Sequence, residues 1–193
     1  RFLSNSAIAS MGYDLPAAIG ACMAAHDPEF EGDGYSKHDI ILLTGEGSIQ
    51  MNIQELQTII HHKMPIKIFL INNGGYHSIR QTQKNFFGEP LVGIGVDSHD
   101  LSFPDMEKLA AAYGYPYVVA HHNEELAGAV EKTLAMDGPV ICEFYVTTYQ
   151  NFEPKSSAKR LPDGTLVSPP LEDLSPFLPD EEMDKLMIIP RIK

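Results

Sequence analysis

Apolar runs and amphipathic segments alternate along the first 150 positions, a pattern that predicts strands separated by helices. Strands are predicted at four apolar runs: 39–44, 66–71, 117–120 and 139–147. Helices are predicted between and around them, at 15–25, 52–62, 77–85, 103–113 and 123–135. The run at 39–44 is continuously apolar, which is typical of a strand buried on both faces of a parallel sheet. The alternation predicts an α/β fold with a three-layer, doubly wound parallel sheet and right-handed crossovers.

The pattern changes after Tyr149, and we predict two parts: a domain at 1–150 and a Pro-rich extended tail at 151–193. The prolines that interrupt regular structure are Pro154, Pro162, Pro169, Pro170, Pro176 and Pro179. Apolar residues between these prolines favour a tail docked on the domain or on a partner over a disordered tail. One short helix is predicted at 180–186, and the polar stretch at 27–38 predicts a surface loop.

Composition narrows the functional classes. The 193 residues carry a formal net charge of −12, which argues against a nucleic-acid binder but leaves room for a local anion site. No apolar run reaches the roughly 18 residues of a membrane helix, so we expect no membrane partner. The two cysteines, Cys22 and Cys142, lie in apolar runs and suggest a reducing, cytoplasmic setting. Because the chain begins at Arg1, we interpret it as a processed chain or a piece of a longer protein.

Two polar clusters follow the first two predicted strands. Gly45-Glu46-Gly47-Ser48 follows the strand at 39–44, and Asn72-Asn73-Gly74-Gly75 follows the strand at 66–71. Ligands bind at the carboxyl ends of strands in open α/β sheets. Glycines let the backbone approach a ligand, Ser48 adds a hydroxyl, and the start of the following helix favours an anion. The first cluster therefore predicts a phosphate cradle.

The acidic residue in this cradle indicates a cation. Glu46 would repel a phosphate unless a metal ion lay between them. The Asn73 amide oxygen and the Gly75 carbonyl are, like the Glu46 carboxylate, the hard oxygen donors that Mg²⁺ prefers. Each cluster taken alone is also ordinary turn chemistry, and that alternative stays open from the residues themselves. A nucleotide hydrolase is disfavoured because no Gly-Lys-Ser/Thr follows the glycines.

Taken together, these motifs resemble the thiamine-diphosphate-dependent enzyme family. Gly45-Glu46-Gly47, with Asn73 lying 27 positions after Glu46, is similar to the family's Gly-Asp-Gly…Asn-Asn signature. The segments Ser-Met-Gly-Tyr-Asp-Leu-Pro-Ala-Ala-Ile-Gly-Ala at 10–21, Met-Asn-Ile-Gln-Glu-Leu-Gln-Thr at 51–58 and Leu-Ala-Ala-Ala-Tyr-Gly at 109–114 resemble acetolactate synthase large subunits. The resemblance covers roughly residues 4–150 and implies the C-terminal, diphosphate-binding domain of such an enzyme.

The resemblance implies a role for individual residues. The Mg²⁺ ligands would be Glu46, Asn73 through its side chain, and Gly75 through its carbonyl. Met11 would bend the cofactor, and the Ala9 carbonyl would accept a hydrogen bond from its aminopyrimidine. The full set of implied cofactor-binding residues is Ala9, Ser10, Met11, Gly45, Gly47, Ser48, Tyr76 and His77.

Two departures from the family pattern bear on these implications. Glu46 stands where the family usually has Asp, and its extra methylene displaces the carboxylate by about 1.5 Å, the length of one C–C bond. Since Mg²⁺ geometry is strict, metal affinity or metal choice is expected to respond. The stretch at 27–38 resembles an insertion of about ten residues, expected on the surface and away from the chemistry.

The resemblance also implies a reaction class and partners. It implies an acetolactate-synthase-like lyase or transferase that decarboxylates a 2-oxo acid and joins the product to a second one. A 2-oxo acid decarboxylase and a non-catalytic cofactor-binding homologue remain alternatives. The activating glutamate would reside in a separate pyrimidine-binding domain of the same or another chain, within a homodimer or homotetramer. We therefore expect no catalytic side chain in this polypeptide and no activity from it alone.

Overall fold

The computed structural model of the protein describes residues 2–5, 8–27 and 39–191. The chain forms two compact units, Arg1–Thr148 and Tyr149–Lys193. Most of the predicted surface loop at 27–38 lies outside the described residues, so its position stays a prediction.

Strands and helices alternate through the first unit, as the sequence pattern predicts. The strands are β1 (Ile40–Gly45), β2 (Ile66–Asn72), β3 (Tyr117–Ala120) and β4 (Val140–Tyr145). The helices are α1 (Asp14–Ala25), α2 (Glu46–Ile49), α3 (Glu55–His61), α4 (His77–Phe86), α5 (Met106–Tyr113) and α6 (Asn123–Ala135). The four strands are parallel in the order β1-β2-β4-β3, which confirms the predicted α/β class.

Apolar side chains on the two faces of the sheet form two clusters, and helices cover both. On one face α1, α3 and α5 pack against β1, β2 and β4, burying residues such as Leu15, Leu56 and Ile68. On the other face α6 packs through Ala129 against a cluster that includes Cys142. Helices on both faces make the three layers of a doubly wound sheet.

One prediction about the first strand is wrong. The run at 39–44 was expected to be buried on both faces, yet the side chains of Ile41 and Leu43 are 57% and 63% exposed. The reason is topological, because β1 lies at the edge of the sheet. Helix α6 contacts β3 and β4 rather than β1, so this face of β1 is left open within the described residues.

The helical region after β1 begins earlier than predicted. Gly45 has an extended backbone, and α2 starts at the next residue, Glu46. A single 3₁₀ turn at Gln50–Asn52 separates α2 from α3, whereas the sequence predicted one helix from 52 to 62. Gly47 and Ser48 therefore lie in a first helical turn, whose N–H groups have no acceptor within the helix.

A lysine is fully buried in the central strand β2. The Lys67 ammonium donates hydrogen bonds to the carbonyls of Met136 and Gly138, the latter at 2.6 Å. These carbonyls follow the carboxyl end of α6, where cations are favoured. Lys67 thus connects the end of α6 to the sheet. Because its ammonium is hydrogen-bonded, the charge is tolerated within an apolar run.

The second unit contains little regular structure. Two antiparallel strands of two residues each, β5 (Lys159–Arg160) and β6 (Leu166–Val167), form a hairpin that the sequence did not predict. The helix α7 (Asp180–Leu186) coincides with the one predicted at 180–186. Docking of this tail stays a prediction. Among the described residues, no helix combines the length and apolar character needed to cross a bilayer.

Candidate functional site

The two polar clusters predicted from the sequence meet at the carboxyl end of the sheet. Because β1 and β2 are adjacent and parallel, their ends lie side by side, with Gly45 opposite Ile71. The Glu46 side chain is 2% exposed and turns toward the second cluster. Its Oε1 accepts a hydrogen bond from the Gly75 backbone N–H at 2.5 Å, and Oε2 accepts one from the Asn73 N–H at 3.4 Å.

The buried Glu46 carboxylate lies in an environment that disfavours its charge. Burial raises the pKa of Glu46, and it outweighs the backbone hydrogen bonds from Gly75 and Asn73, which act in the opposite direction. The nearby carboxylate of Glu143 raises the pKa of Glu46 further. A cation at this position would reverse that balance, since an opposite charge favours the ionised carboxylate.

The Asn73 side chain completes a set of oxygen donors. Its Oδ1 atom is buried and accepts no hydrogen bond from any described residue. An unpaired buried acceptor is costly and is commonly satisfied by an ion or a water. The carboxylate oxygens of Glu46 retain lone pairs after accepting two N–H groups. The residues present therefore fit a hard divalent cation such as Mg²⁺.

Glycines let a second loop contact the turn at residues 72–75. The Tyr76 N–H donates to the Ile94 carbonyl at 2.7 Å, and the Val96 N–H donates to the Gly74 carbonyl at 3.1 Å. A Cβ atom on Gly75 would lie 2.0 Å from the Ile94 carbonyl oxygen. This close backbone pairing engages the Gly74 carbonyl, and it requires glycine at position 75.

Arg80 connects α4 to the same loop. Its side chain is buried, and Nε lies 2.9 Å from Oδ2 of Asp97. Its Nη1 donates to the Thr148 carbonyl at 3.3 Å and lies 3.2 Å from Nδ1 of His77. The structure thus places His77 against Arg80, and its predicted contact with the cofactor stays a prediction.

Gly47 is in direct contact with the Tyr76 ring. A Cβ atom on Gly47 would lie 2.2 Å from Cε1 of Tyr76, and the ring packs edge-on against Phe103 at 5.5 Å between centroids. The sequence pattern predicts that this glycine lets a ligand approach closely. In the structure an aromatic ring occupies that space, so Gly47 has a packing reason for lacking a side chain.

The segment at 8–12 is fixed beside the first cluster. The Ser48 hydroxyl accepts a hydrogen bond from the Gly12 N–H at 2.9 Å, and the Asn52 amide donates to the Gly12 carbonyl at 2.6 Å. Ala9 has a left-handed backbone, with φ of 51°, and Met11 is 46% exposed. These bonds hold the segment that carries Met11 next to the turn that carries Ser48, and the cofactor contacts of Ala9, Met11 and Ser48 stay predictions.

The remaining predicted cofactor-binding positions flank these contacts. The Ser10 carbonyl accepts a hydrogen bond from the Tyr13 N–H at 3.2 Å, which closes the turn that bears Met11. Gly45 precedes α2 in an extended conformation, and a Cβ atom there would meet nothing closer than 3.8 Å. The roles of Ser10 and Gly45 in cofactor binding stay predictions.

Three side-chain contacts near the site were not predicted from the sequence. Glu143, buried in β4, accepts hydrogen bonds from the Asn72 amide and the Tyr117 hydroxyl. The Thr44 hydroxyl donates to the Asp14 carboxylate and so joins the end of β1 to the start of α1. A charge within the apolar run at 139–147 was the available signal for Glu143. No pattern in the sequence pairs Asp14 with Thr44.

Comparisons with known proteins place the chain in a family. Residues 1–144 match the family model described as "Thiamine pyrophosphate enzyme, C-terminal TPP binding domain". The acetolactate synthase large subunit of Pyropia yezoensis is 35% identical over 154 residues, which cover 80% of this chain and 24% of that protein. The large subunit of acetolactate synthase isozyme 2 of Escherichia coli (strain K12) is 29% identical over 175 residues, covering 91% of this chain and 28% of that protein.

A solved structure shares the fold. An X-ray structure of a Mycobacterium smegmatis protein described as thiamin diphosphate-dependent aligns with a TM-score of 0.56 and 22% sequence identity. The alignment covers 72% of this chain and 23% of that chain. The chain thus spans about a quarter of the length of the relatives it matches.

Proposed function

Because the chain belongs to the thiamine pyrophosphate enzymes and matches their C-terminal TPP binding domain, we propose that it holds the diphosphate end of thiamine diphosphate through a bound Mg²⁺. The proposed metal ligands are the Glu46 carboxylate, the Asn73 side-chain oxygen and the Gly75 carbonyl. The proposed cofactor contacts are those implied by the sequence: Ala9, Ser10, Met11, Gly45, Gly47, Ser48, Tyr76 and His77.

One observation carries this proposal. The Glu46 carboxylate joins the two clusters through N–H groups of Asn73 and Gly75, and the Asn73 Oδ1 atom is buried with no hydrogen-bond partner among the described residues. A purely structural turn would be expected to pair this oxygen with a donor. A metal ion would pair the oxygen and also neutralise the charge of Glu46, so one ligand accounts for both features.

The residues around this point suit the remaining parts of the cofactor. The N–H groups of Gly47 and Ser48, in the first turn of α2, are donors of the kind that diphosphate oxygens accept. Met11, held beside Ser48 by the Gly12 hydrogen bond, presents an exposed apolar side chain to the cofactor. Bound thiamine diphosphate supplies the nucleophile and the electron sink for decarboxylating 2-oxo acids. The chain's own residues position it.

For the whole protein we propose an acetolactate-synthase-like lyase or transferase that acts on 2-oxo acids by decarboxylation and carboligation. The relatives named acetolactate synthase support this choice. The chain spans about a quarter of their length, so we further propose that a pyrimidine-binding domain, of the same or another chain, completes the site in a dimer or tetramer. Product analysis with pyruvate distinguishes carboligation, which gives acetolactate, from simple decarboxylation, which gives acetaldehyde.

Replacing the proposed central ligand tests the site. Glu46→Gln keeps the size of the side chain but removes its charge. In the full-length protein, calorimetric titration with thiamine diphosphate and Mg²⁺ is expected to show at least about a tenfold weaker affinity than wild type, the scale that even outer-shell changes reach. Glu131→Gln, on the exposed surface of α6, is the matched control and is expected to bind normally. Equal binding by Glu46→Gln and wild type would contradict the proposal.

A separate experiment tests whether a second domain is needed for turnover. We propose that the 193-residue chain by itself does not turn over pyruvate, because the glutamate that activates the cofactor lies in the other domain. Pyruvate consumption is to be measured for this chain with thiamine diphosphate and Mg²⁺, beside the full-length protein. Turnover by the short chain at the full-length rate would overturn this part of the proposal.

A further inference from the structure

A buried carboxylate on β4 lies beside the metal-binding turn without being part of it. Glu143 is 1% exposed and occupies a strand whose other buried residues are apolar or sulfur-containing. Its Oε1 accepts a hydrogen bond from the Asn72 side-chain amide at 2.7 Å, and Oε2 accepts one from the Tyr117 hydroxyl. A charged group is retained in a core only when such partners satisfy it.

The contact with Glu143 fixes the direction of the Asn72 amide. A carboxylate oxygen can only accept, so the NH₂ end of Asn72 must face Glu143. The oxygen end of the same amide then faces the opposite way and accepts a hydrogen bond from the Gly74 N–H at 3.0 Å. Asn72 is thereby held at both ends, by β4 on one side and by the turn's own backbone on the other.

This arrangement sets the geometry of the turn that carries the proposed ligands. The bond from Gly74 to Asn72 closes a local turn of the kind that asparagine forms with the backbone two residues ahead. Asn73 lies inside that turn, and Gly75 follows it. The turn directs the Asn73 and Gly75 N–H groups to the Glu46 carboxylate. A rotated Asn72 amide would present NH₂ to the Gly74 N–H and open the turn.

We propose that Glu143 is a positioning residue for the metal site: by orienting the Asn72 amide, it presets the turn in which Asn73 and Gly75 bind the cation. This inference rests on the proposed function. Partners of this kind, which touch no metal themselves, typically change metal affinity 10- to 100-fold when removed.

The test measures metal binding rather than turnover. Mn²⁺ replaces Mg²⁺ in the full-length protein saturated with thiamine diphosphate, and its electron paramagnetic resonance signal reports both affinity and coordination. Glu143→Met, which removes the acceptor with little loss of volume, is expected to weaken Mn²⁺ binding about 10- to 100-fold. Glu143→Gln keeps an amide oxygen for Asn72 and is expected to stay within about threefold of wild type. Tyr117→Phe spares the contact with Asn72 and is expected to do the same.

If Glu143→Met does not fold, a second set of variants, in which the amide at position 72 and the carboxylate at position 143 are exchanged, still tests the proposal. Asn72→Asp places two carboxylates against each other and is expected to weaken Mn²⁺ binding. The double variant Asn72→Asp with Glu143→Gln restores a donor facing an acceptor and preserves net charge, so binding is expected to recover. Loss in the single variant and recovery in the double would support the positioning role.

The outcomes separate this inference from the function on which it rests. If wild type binds neither Mn²⁺ nor thiamine diphosphate, the proposed function fails and the positioning role fails with it. If wild type binds but Glu143→Met binds Mn²⁺ equally well with an unchanged signal, the positioning role alone is overturned. A lower melting temperature for Glu143→Met with unchanged affinity would likewise overturn it, because it would show that Glu143 supports the core only.

Discussion

Glu46 and Gly75, separated by 29 positions in the sequence, are joined by a 2.5 Å hydrogen bond from the Gly75 backbone N–H to Oε1 of Glu46. The bond connects the start of α2 to the turn after β2. Burial raises the pKa of the Glu46 carboxyl, and the bond from Gly75 offsets this only in part, so a cation at this position would stabilise the ionised carboxylate. The Glu46 side chain therefore both joins the two parts of the site and is the proposed metal ligand.

Because no described residue pairs the Asn73 side-chain oxygen, its removal is expected to weaken metal binding without destabilising the metal-free protein. Asn73→Ala removes a buried acceptor that no described residue pairs, so the stability of the metal-free protein is expected to change by less than about 1 kcal/mol. Affinity for Mg²⁺ in the presence of thiamine diphosphate is expected to fall at least about tenfold. Asn72→Ala gives the contrast: it breaks two hydrogen bonds that hold the turn, so it is expected to lose affinity and also about 1–3 kcal/mol of stability. Urea unfolding and calorimetry measure the two effects.

The contact between Gly47 and the Tyr76 ring predicts a steric penalty. Gly47→Ala places a methyl group 2.2 Å from the ring and is expected to destabilise the protein by about 1–3 kcal/mol. Gly45→Ala is the control, because its nearest neighbour would lie at 3.8 Å. In a double-mutant cycle, Tyr76→Ala should relieve part of the Gly47→Ala penalty, with a coupling of about 0.5–3 kcal/mol. Additive penalties would show that the ring and the glycine do not interact.

The buried ion pair of Arg80 predicts a strong effect on the neighbouring loop. Asp97→Ala leaves the guanidinium without its counter-ion and is expected to cost about 3 kcal/mol in urea unfolding. Faster hydrogen exchange is expected at the Val96 N–H, which bonds to the turn. Lys108→Ala breaks an exposed ion pair and should cost less than about 1 kcal/mol. Similar losses of stability in both variants would contradict the prediction that Arg80 stabilises the loop through Asp97.

The start of α6 predicts a pH dependence of stability. Glu125 accepts hydrogen bonds from the N–H groups of His121 and His122, and these bonds lower its pKa below the ordinary 4.5. Since the pKa is lower in the folded state, the stabilisation is complete above pH 4.5 and is lost as the pH falls through the lower folded value. The melting-temperature difference between wild type and Glu125→Gln should therefore shrink below pH 4.5.

The fold was predictable because each buried element carries its own local signal. Apolar runs, each interrupted by a single charged residue, identify β2 and β4, and the helix at 106–113 has Asp105 before it and Gly114 in a left-handed conformation after it. Strand order carries no such signal. The edge position of β1 therefore exposes Ile41 and Leu43 against expectation, because a run of apolar residues does not reveal which neighbours cover it.

The site was predictable where its residues are adjacent in the sequence. Glu46 and Asn73 stand in short motifs, and parallel strands bring those motifs together. Contacts between distant positions were not predictable from the pattern. Glu143 stands out as a charge within an apolar run, but its contact with Asn72, 71 residues away, depends on β2 and β4 being neighbours in the sheet. The contact between the Tyr76 ring and Gly47 is another example, because a glycine in a sequence does not indicate which group packs against it.

Metal dependence of cofactor binding tests the central claim most directly. Thiamine diphosphate is titrated calorimetrically into the full-length wild-type protein, first with Mg²⁺ and then with a chelator in its place. Our account predicts saturable one-site binding with Mg²⁺ that is lost with the chelator, because Glu46 and the diphosphate repel each other without a cation between them. Absence of binding with Mg²⁺, or equal affinity in both titrations, would contradict it.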